Sequence, residues 1–138
     1  MPNILVVDDH QAMRQLICLL LESAGHTVVE AFNGHEARHK LQGEKFDLLI
    51  TDILMPECDG IEIVMDLQRD QKDLPVIAIT GMVTDSELYL KVAKSLGAKT
   101  TLVKPFSEKE LFAATNEALT GFNEIQASRR TREGSALL

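Results

Sequence analysis

Four stretches of this sequence place chemically capable side chains directly after, or at the end of, short apolar runs. Asp8 and Asp9 follow residues 4–7, Thr51-Asp52 closes the run from 46, Thr80 closes 75–80, and Lys104 closes 100–104. In an open parallel sheet, reacting groups gather at the carboxyl ends of the strands. If these four strands are neighbours, three carboxylates, a hydroxyl and an ammonium converge on one shallow pocket. Three carboxylates so close repel one another, and burying them without compensation is costly. A hard divalent cation resolves this. Magnesium prefers oxygen ligands, keeps several waters, and binds one or two carboxylates alongside phosphate oxygens. Lys104 supplies a fixed positive charge for a phosphoryl oxygen, and Thr80 a hydroxyl donor. A carboxylate can itself accept a phosphoryl group, and phosphoryl transfer requires mainly positioning and charge neutralisation.

Each member has an ordinary explanation when taken alone. Asp9 after a strand can be a helix cap, Thr80 a strand residue, and Lys104 a surface charge. The specificity lies in the coincidence that four strands each deliver a suitable group at the same end.

The elements that must position these groups are legible as alternating periodicities. Residues 4–7 read as a strand. Met13, Leu16, Ile17, Leu20 and Leu21 then recur at helical spacing until Gly25. Residues 27–31 read as a second strand, Asn33-Gly34 as a turn, and Ala37 and Leu41 as the apolar side of a short helix. Residues 46–51 are apolar enough for a strand buried on both faces. Ile61, Val64, Met65 and Leu67 predict a third helix, residues 75–80 a fourth strand, 85–96 a fourth helix ended by Gly97, and 100–104 a fifth strand. Ser107 with Glu110 forms a capping box that opens a last helix to about Leu119. Five strands alternating with five helices predict an α/β fold, a doubly wound parallel sheet between helical layers.

The totals agree with one globular unit. The chain has 138 residues, 45% of them hydrophobic and 25% charged. A formal net charge of −7 argues against a general nucleic-acid binder, which needs clustered Lys and Arg. No apolar run is long enough to span a bilayer, and the acidic start is unlike a secretory signal, so a cytoplasmic location is expected. Cys18, among leucines, reads as a small buried apolar side chain, and with Cys58 makes no metal spacing. Residues 1–121 are expected to form the domain. Residues 122–138, with Arg129, Arg130 and Arg132, read as a linker stub or a loose extension of the last helix.

With these residues in view, the chain resembles the receiver domains of two-component response regulators, from about Asn3 to Leu119. The matching segments are Ile-Leu-Val-Val-Asp-Asp at 4–9, Phe-Asn-Gly-His-Glu-Ala at 32–37, Asp-Leu-Leu-Ile-Thr-Asp-Ile-Leu-Met-Pro at 47–56 and Leu-Val-Lys-Pro-Phe at 102–106. The resemblance implies a flavodoxin-like sheet of strand order 2-1-3-4-5. It implies Asp52 as phosphoacceptor, and Mg2+ bound by Asp9, Asp52 and the backbone carbonyl of Leu54, with Asp8 acting mostly through water. Thr80 would move to bond the phosphoryl group, Lys104 would pair with it, and the Lys104-Pro105 bond would be cis. The partner implied is a sensor histidine kinase or a phosphotransfer protein, with no direct nucleic-acid or membrane contact by this domain. Such a domain is a signalling phosphoacceptor rather than an enzyme acting on other substrates.

One departure concerns the fifth strand, where Thr101 stands at the position of the family's rotating Tyr or Phe. The acidic pattern of the winged-helix regulators is also not evident at Lys99-Thr100-Thr101, which suggests a stand-alone receiver or one cut from a longer protein. Leu54 and Met82 occupy positions that the family places beside the path of hydrolytic water. Both are bulky and unable to hold a water strongly, which predicts slow loss of the phosphoryl group.

Other readings are weaker. Haloacid-dehalogenase-type phosphohydrolases carry Asp-x-Asp after the first strand, where this chain has Asp8-Asp9-His10. Pseudo-receivers usually lose an acidic or lysine position, and none is lost here. A flavin-binding flavodoxin needs a Ser/Thr/Gly-rich first loop. The four histidines make no metal site by spacing, although His35 and His39 are four apart on one helix face.

Overall fold

The computed structural model describes residues 2–53, 74–80 and 100–131, with side chains described as far as residue 120. Five strands form one parallel sheet: β1 (Asn3–Val7), β2 (Thr27–Ala31), β3 (Leu48–Asp52), β4 (Val76–Thr80) and β5 (Thr100–Val103). Their order is β2-β1-β3-β4-β5, as the resemblance implied. Three helices are described: α1 (Gln11–Ser23), α2 (Gly34–Gly43) and α3 (Glu108–Thr131). The helices expected near 61–67 and 85–96 lie outside the described residues.

The central strands β3 and β4 are buried along all five residues each, which is why their sequences are continuous apolar runs and not alternating ones. Alternation still decides which helix each side chain meets. Leu5, Val7, Leu49, Val76 and Ala78 pack with Ala37 and Leu41 of α2. Ile4, Val6, Leu48, Ile50, Ile77 and Ile79 face the other way, onto Ile17, Cys18 and Leu21 of α1 and Leu111, Ala114 and Ala118 of α3. Full burial of each large aliphatic side chain contributes roughly 1.5–3 kcal/mol, so the sheet is held from both faces.

Local signals end the first helix at Gly25 and start the other two at Asn33 and Ser107. At the end of α1, the Gly25 amide donates to the Glu22 carbonyl at 3.0 Å and the His26 amide to the Leu21 carbonyl at 3.1 Å. This paired pattern is a Schellman motif, and it requires the left-handed residue that Gly25 supplies at φ 95. Asn33 caps α2, its side chain accepting from the Glu36 amide at 2.8 Å. The capping box forms as expected: Ser107 Oγ accepts from the Glu110 amide at 3.0 Å, while Glu110 Oε1 accepts from the Ser107 amide at 3.2 Å.

Helix α3 runs on to Thr131, well past Leu119. Gly121 is a single weak breaker, and the following Glu, Gln, Ala and Arg residues are good helix formers. Cys18 is buried, as its leucine neighbours suggested. Burial pushes its thiol pKa up to about 12, helped by the charges of Glu30 and Glu22 against the opposing pull of Arg14. Cys58 lies outside the described residues.

Candidate functional site

The strand register levels the carboxyl ends of the sheet. Val7 pairs with Thr51, Asp52 with Ile79, and Thr80 with Val103. Three further backbone bonds carry the pairing into the loops. The Asp8 amide donates to the Ala31 carbonyl, the Ile53 amide to Ile79, and the Lys104 amide to Thr80 at 2.7 Å. Each functional group is thus tied to its neighbouring strand at the point where it leaves the sheet.

Asp8, Asp9 and Asp52 come together. One ligand atom from each, with a ring nitrogen of His10, all lie within 4.8 Å of one another. Asp8 and Asp52 are buried, whereas the Asp9 side chain is 28% exposed. Lys104 reaches the buried pair, with Nζ 3.0 Å from Asp52 Oδ2 and 3.1 Å from Asp8 Oδ2. The Asp52 contact is a hydrogen bond. Burial pulls the Lys104 pKa down, but hydrogen bonding and charge from Asp52, then from Asp8, outweigh it and hold the pKa above its ordinary value. Thr80 is fully buried at the end of β4, the strand between those that carry Asp52 and Lys104. The Lys104-Pro105 bond is cis. Leu54 and Met82 lie outside the described residues.

Among the described residues, one ammonium faces two buried carboxylates, and Asp9 adds a third negative group at the mouth. Asp8 Oδ2 is buried and faces the Lys104 ammonium at 3.1 Å. A set of carboxylate oxygens with a net negative deficit fits a hard divalent cation such as magnesium.

Two residues of the site had no role in the sequence reading. Histidine spacing gives no role to His10, yet it sits in the acidic cluster, its Nδ1 3.4 Å from both Asp8 Oδ1 and Asp9 Oδ1. Adjacency to Asp8-Asp9 was the available signal. Arg14 donates from Nη1 to the Asp8 backbone carbonyl at 2.8 Å and from Nε to Glu30 Oε1 at 2.9 Å. No spacing rule announces that contact, because it depends on the path of the loop between β1 and α1.

A family model for the response regulator receiver domain matches residues 4–116, which include every one of these positions. The chain belongs to the receiver domain family. Among relatives of this receiver domain, the alkaline phosphatase synthesis transcriptional regulatory protein PhoP of Bacillus subtilis is 35% identical over 91% of this chain. The match covers 51% of that regulator, so the chain spans about half the length of this relative. Chemotaxis protein CheY4 of Vibrio cholerae is similar in structure at 34% identity and TM-score 0.77, covering 86% of this chain and 99% of that one. TrrA of Thermotoga maritima, solved in complex with Mg2+–BeF, matches at 32% identity and TM-score 0.77, covering 86% of this chain and all of the other. The receiver domain is therefore a signalling domain of two-component systems. Among the described residues, no helix is long and apolar enough to cross a membrane.

Proposed function

We propose that this receiver domain accepts a phosphoryl group on Asp52 from a histidine kinase or phosphotransfer protein, in a magnesium-dependent step, and signals through the change of state that follows. The observation that carries this reading is the Lys104 ammonium 3.0 Å from Asp52 Oδ2, inside a cluster that also holds Asp8 and Asp9. An Asp52 oxygen attacks the donor phosphorus, and the bond from phosphorus to the donor nitrogen or oxygen breaks, its electron pair leaving with the donor. Asp9, Asp52 and the Leu54 carbonyl would hold magnesium directly, and Asp8 through water. When bound, that ion supplies positive charge against the carboxylates and the phosphoryl oxygens. Lys104 neutralises a phosphoryl oxygen as charge moves off the Asp52 carboxylate. Thr80 donates its hydroxyl to another, and its movement is passed to β5, because its carbonyl already accepts the Lys104 amide.

The domain promotes only its own phosphorylation and dephosphorylation, and works in the cytoplasm. Acetyl phosphate supplies the test. Intact-mass analysis should show one added phosphoryl group with magnesium and none with excess EDTA; equal labelling under both conditions would refute the metal dependence.

The receiver proper is residues 1–121, and 122–138 is a linker or helix extension with too little apolar surface to fold alone. Removing residues 126–138 should leave the melting temperature nearly unchanged. A large drop would mean that this segment packs on the domain.

A further inference from the structure

Asp8 and Asp9 stand on the loop between β1 and α1, beyond the last pair of the β1 ladder, so something other than the sheet must aim them. The Asp8 amide is held by Ala31, and its Oδ1 by the His10 amide at 2.8 Å. Lys104 and His10 meet the carboxylates themselves, and Arg14 holds the backbone between them. The Arg14 side chain is largely enclosed, at 12% exposure, and the guanidinium donates to the Asp8 carbonyl from one nitrogen and to Glu30 from another. Glu30 pairs with Val6 in the sheet, so the guanidinium's second contact is made from strand β2, by a carboxylate that is 45% exposed. The Asp8 carbonyl belongs to the planar peptide unit that also contains the Asp9 amide. Holding that oxygen therefore restrains the peptide unit whose two Cα atoms carry both carboxylates.

We infer that Arg14 is a positioning residue for the divalent cation: it acts through the Asp8–Asp9 peptide without touching the ion. The arrangement resembles the outer partners that orient metal ligands elsewhere, whose loss costs roughly 10- to 100-fold in metal affinity. The positive charge of Arg14 meets a backbone carbonyl and Glu30, so it does not itself compete for the carboxylate oxygens of Asp8 and Asp9. This inference rests on the magnesium site proposed above.

The test is calorimetric titration of the unphosphorylated protein with magnesium chloride. Arg14→Met keeps the aliphatic stem and removes both donors; it should weaken magnesium binding by about tenfold. Glu30→Gln, which loosens the anchor but leaves the loop contact, should weaken it less. Arg14→Lys should recover part of the loss. Leu41→Ala, buried at the far end of α2, serves as the control for plain destabilisation and should lower the melting temperature without changing the affinity. Phosphorylation of Arg14→Met by acetyl phosphate should be slow at low magnesium and return to the wild-type rate at saturation. If Arg14→Met and Glu30→Gln bind magnesium as the wild type does, or if affinity merely tracks stability across all variants, the inference is wrong while the site stands. If the wild type binds no magnesium, both fall.

Discussion

Asp52→Asn is expected to abolish phosphoryl acceptance outright. The substitution keeps the shape of a buried side chain at the end of β3 but removes the nucleophile, since an amide oxygen carries no full negative charge with which to attack phosphorus. It also removes the carboxylate that accepts from Lys104 at 3.0 Å. The fold should survive, because the buried Asp8–Lys104 pair becomes one charge against one. With acetyl phosphate and magnesium, intact-mass analysis should detect no labelled Asp52→Asn protein under conditions that label the wild type. Labelling of the variant to the same extent would place the phosphoacceptor on another carboxylate of the cluster.

Lys104→Met should be the most destabilising change in the site when no divalent cation is present. It removes the ammonium that stands 3.1 Å from Asp8 Oδ2 and 3.0 Å from Asp52 Oδ2, on carboxylates only 1% and 5% exposed. Removing one partner of a buried pair typically costs roughly 3–5 kcal/mol. The ammonium retains 16% side-chain exposure, so water can enter behind it and the cost should fall near the lower end, about 3 kcal/mol. Urea unfolding in EDTA measures this directly. Adding Asp8→Asn should recover much of the loss, because it removes the repulsion between the two carboxylates and returns the buried set to the wild type's net charge, and magnesium should act in the same direction by mass action. If Lys104→Met in EDTA is as stable as the wild type, the two carboxylates are not coupled through Lys104 in the way their spacing indicates.

Much of this site was legible because its groups follow apolar runs at the strand ends. Asp8, Asp52, Thr80 and Lys104 could be read off the ends of residues 4–7, 46–51, 75–80 and 100–104, and Ser107 with Glu110 marked the last helix. Periodicity decides which face a side chain takes, but not which strand lies beside which. The order β2-β1-β3-β4-β5 therefore came from resemblance and not from pattern. Strand limits shifted for a related reason. Phe46 looks like strand, yet β3 begins at Leu48, where pairing with Ile4 starts, and Phe46 packs against the core instead. His10 and Arg14 escaped notice because their contacts are made by a loop whose course no local propensity specifies.

The thiol of Cys18 carries a consequence of its own. With burial pushing its pKa up to about 12, the thiol stays protonated at neutral pH, and it is enclosed between α1 and the sheet. A small alkylating reagent can capture it only when that helix lifts away and the thiol regains an ordinary acidity. The capture rate is therefore a clock for local opening of the layer that carries Arg14, measured against an internal atom and without any introduced label.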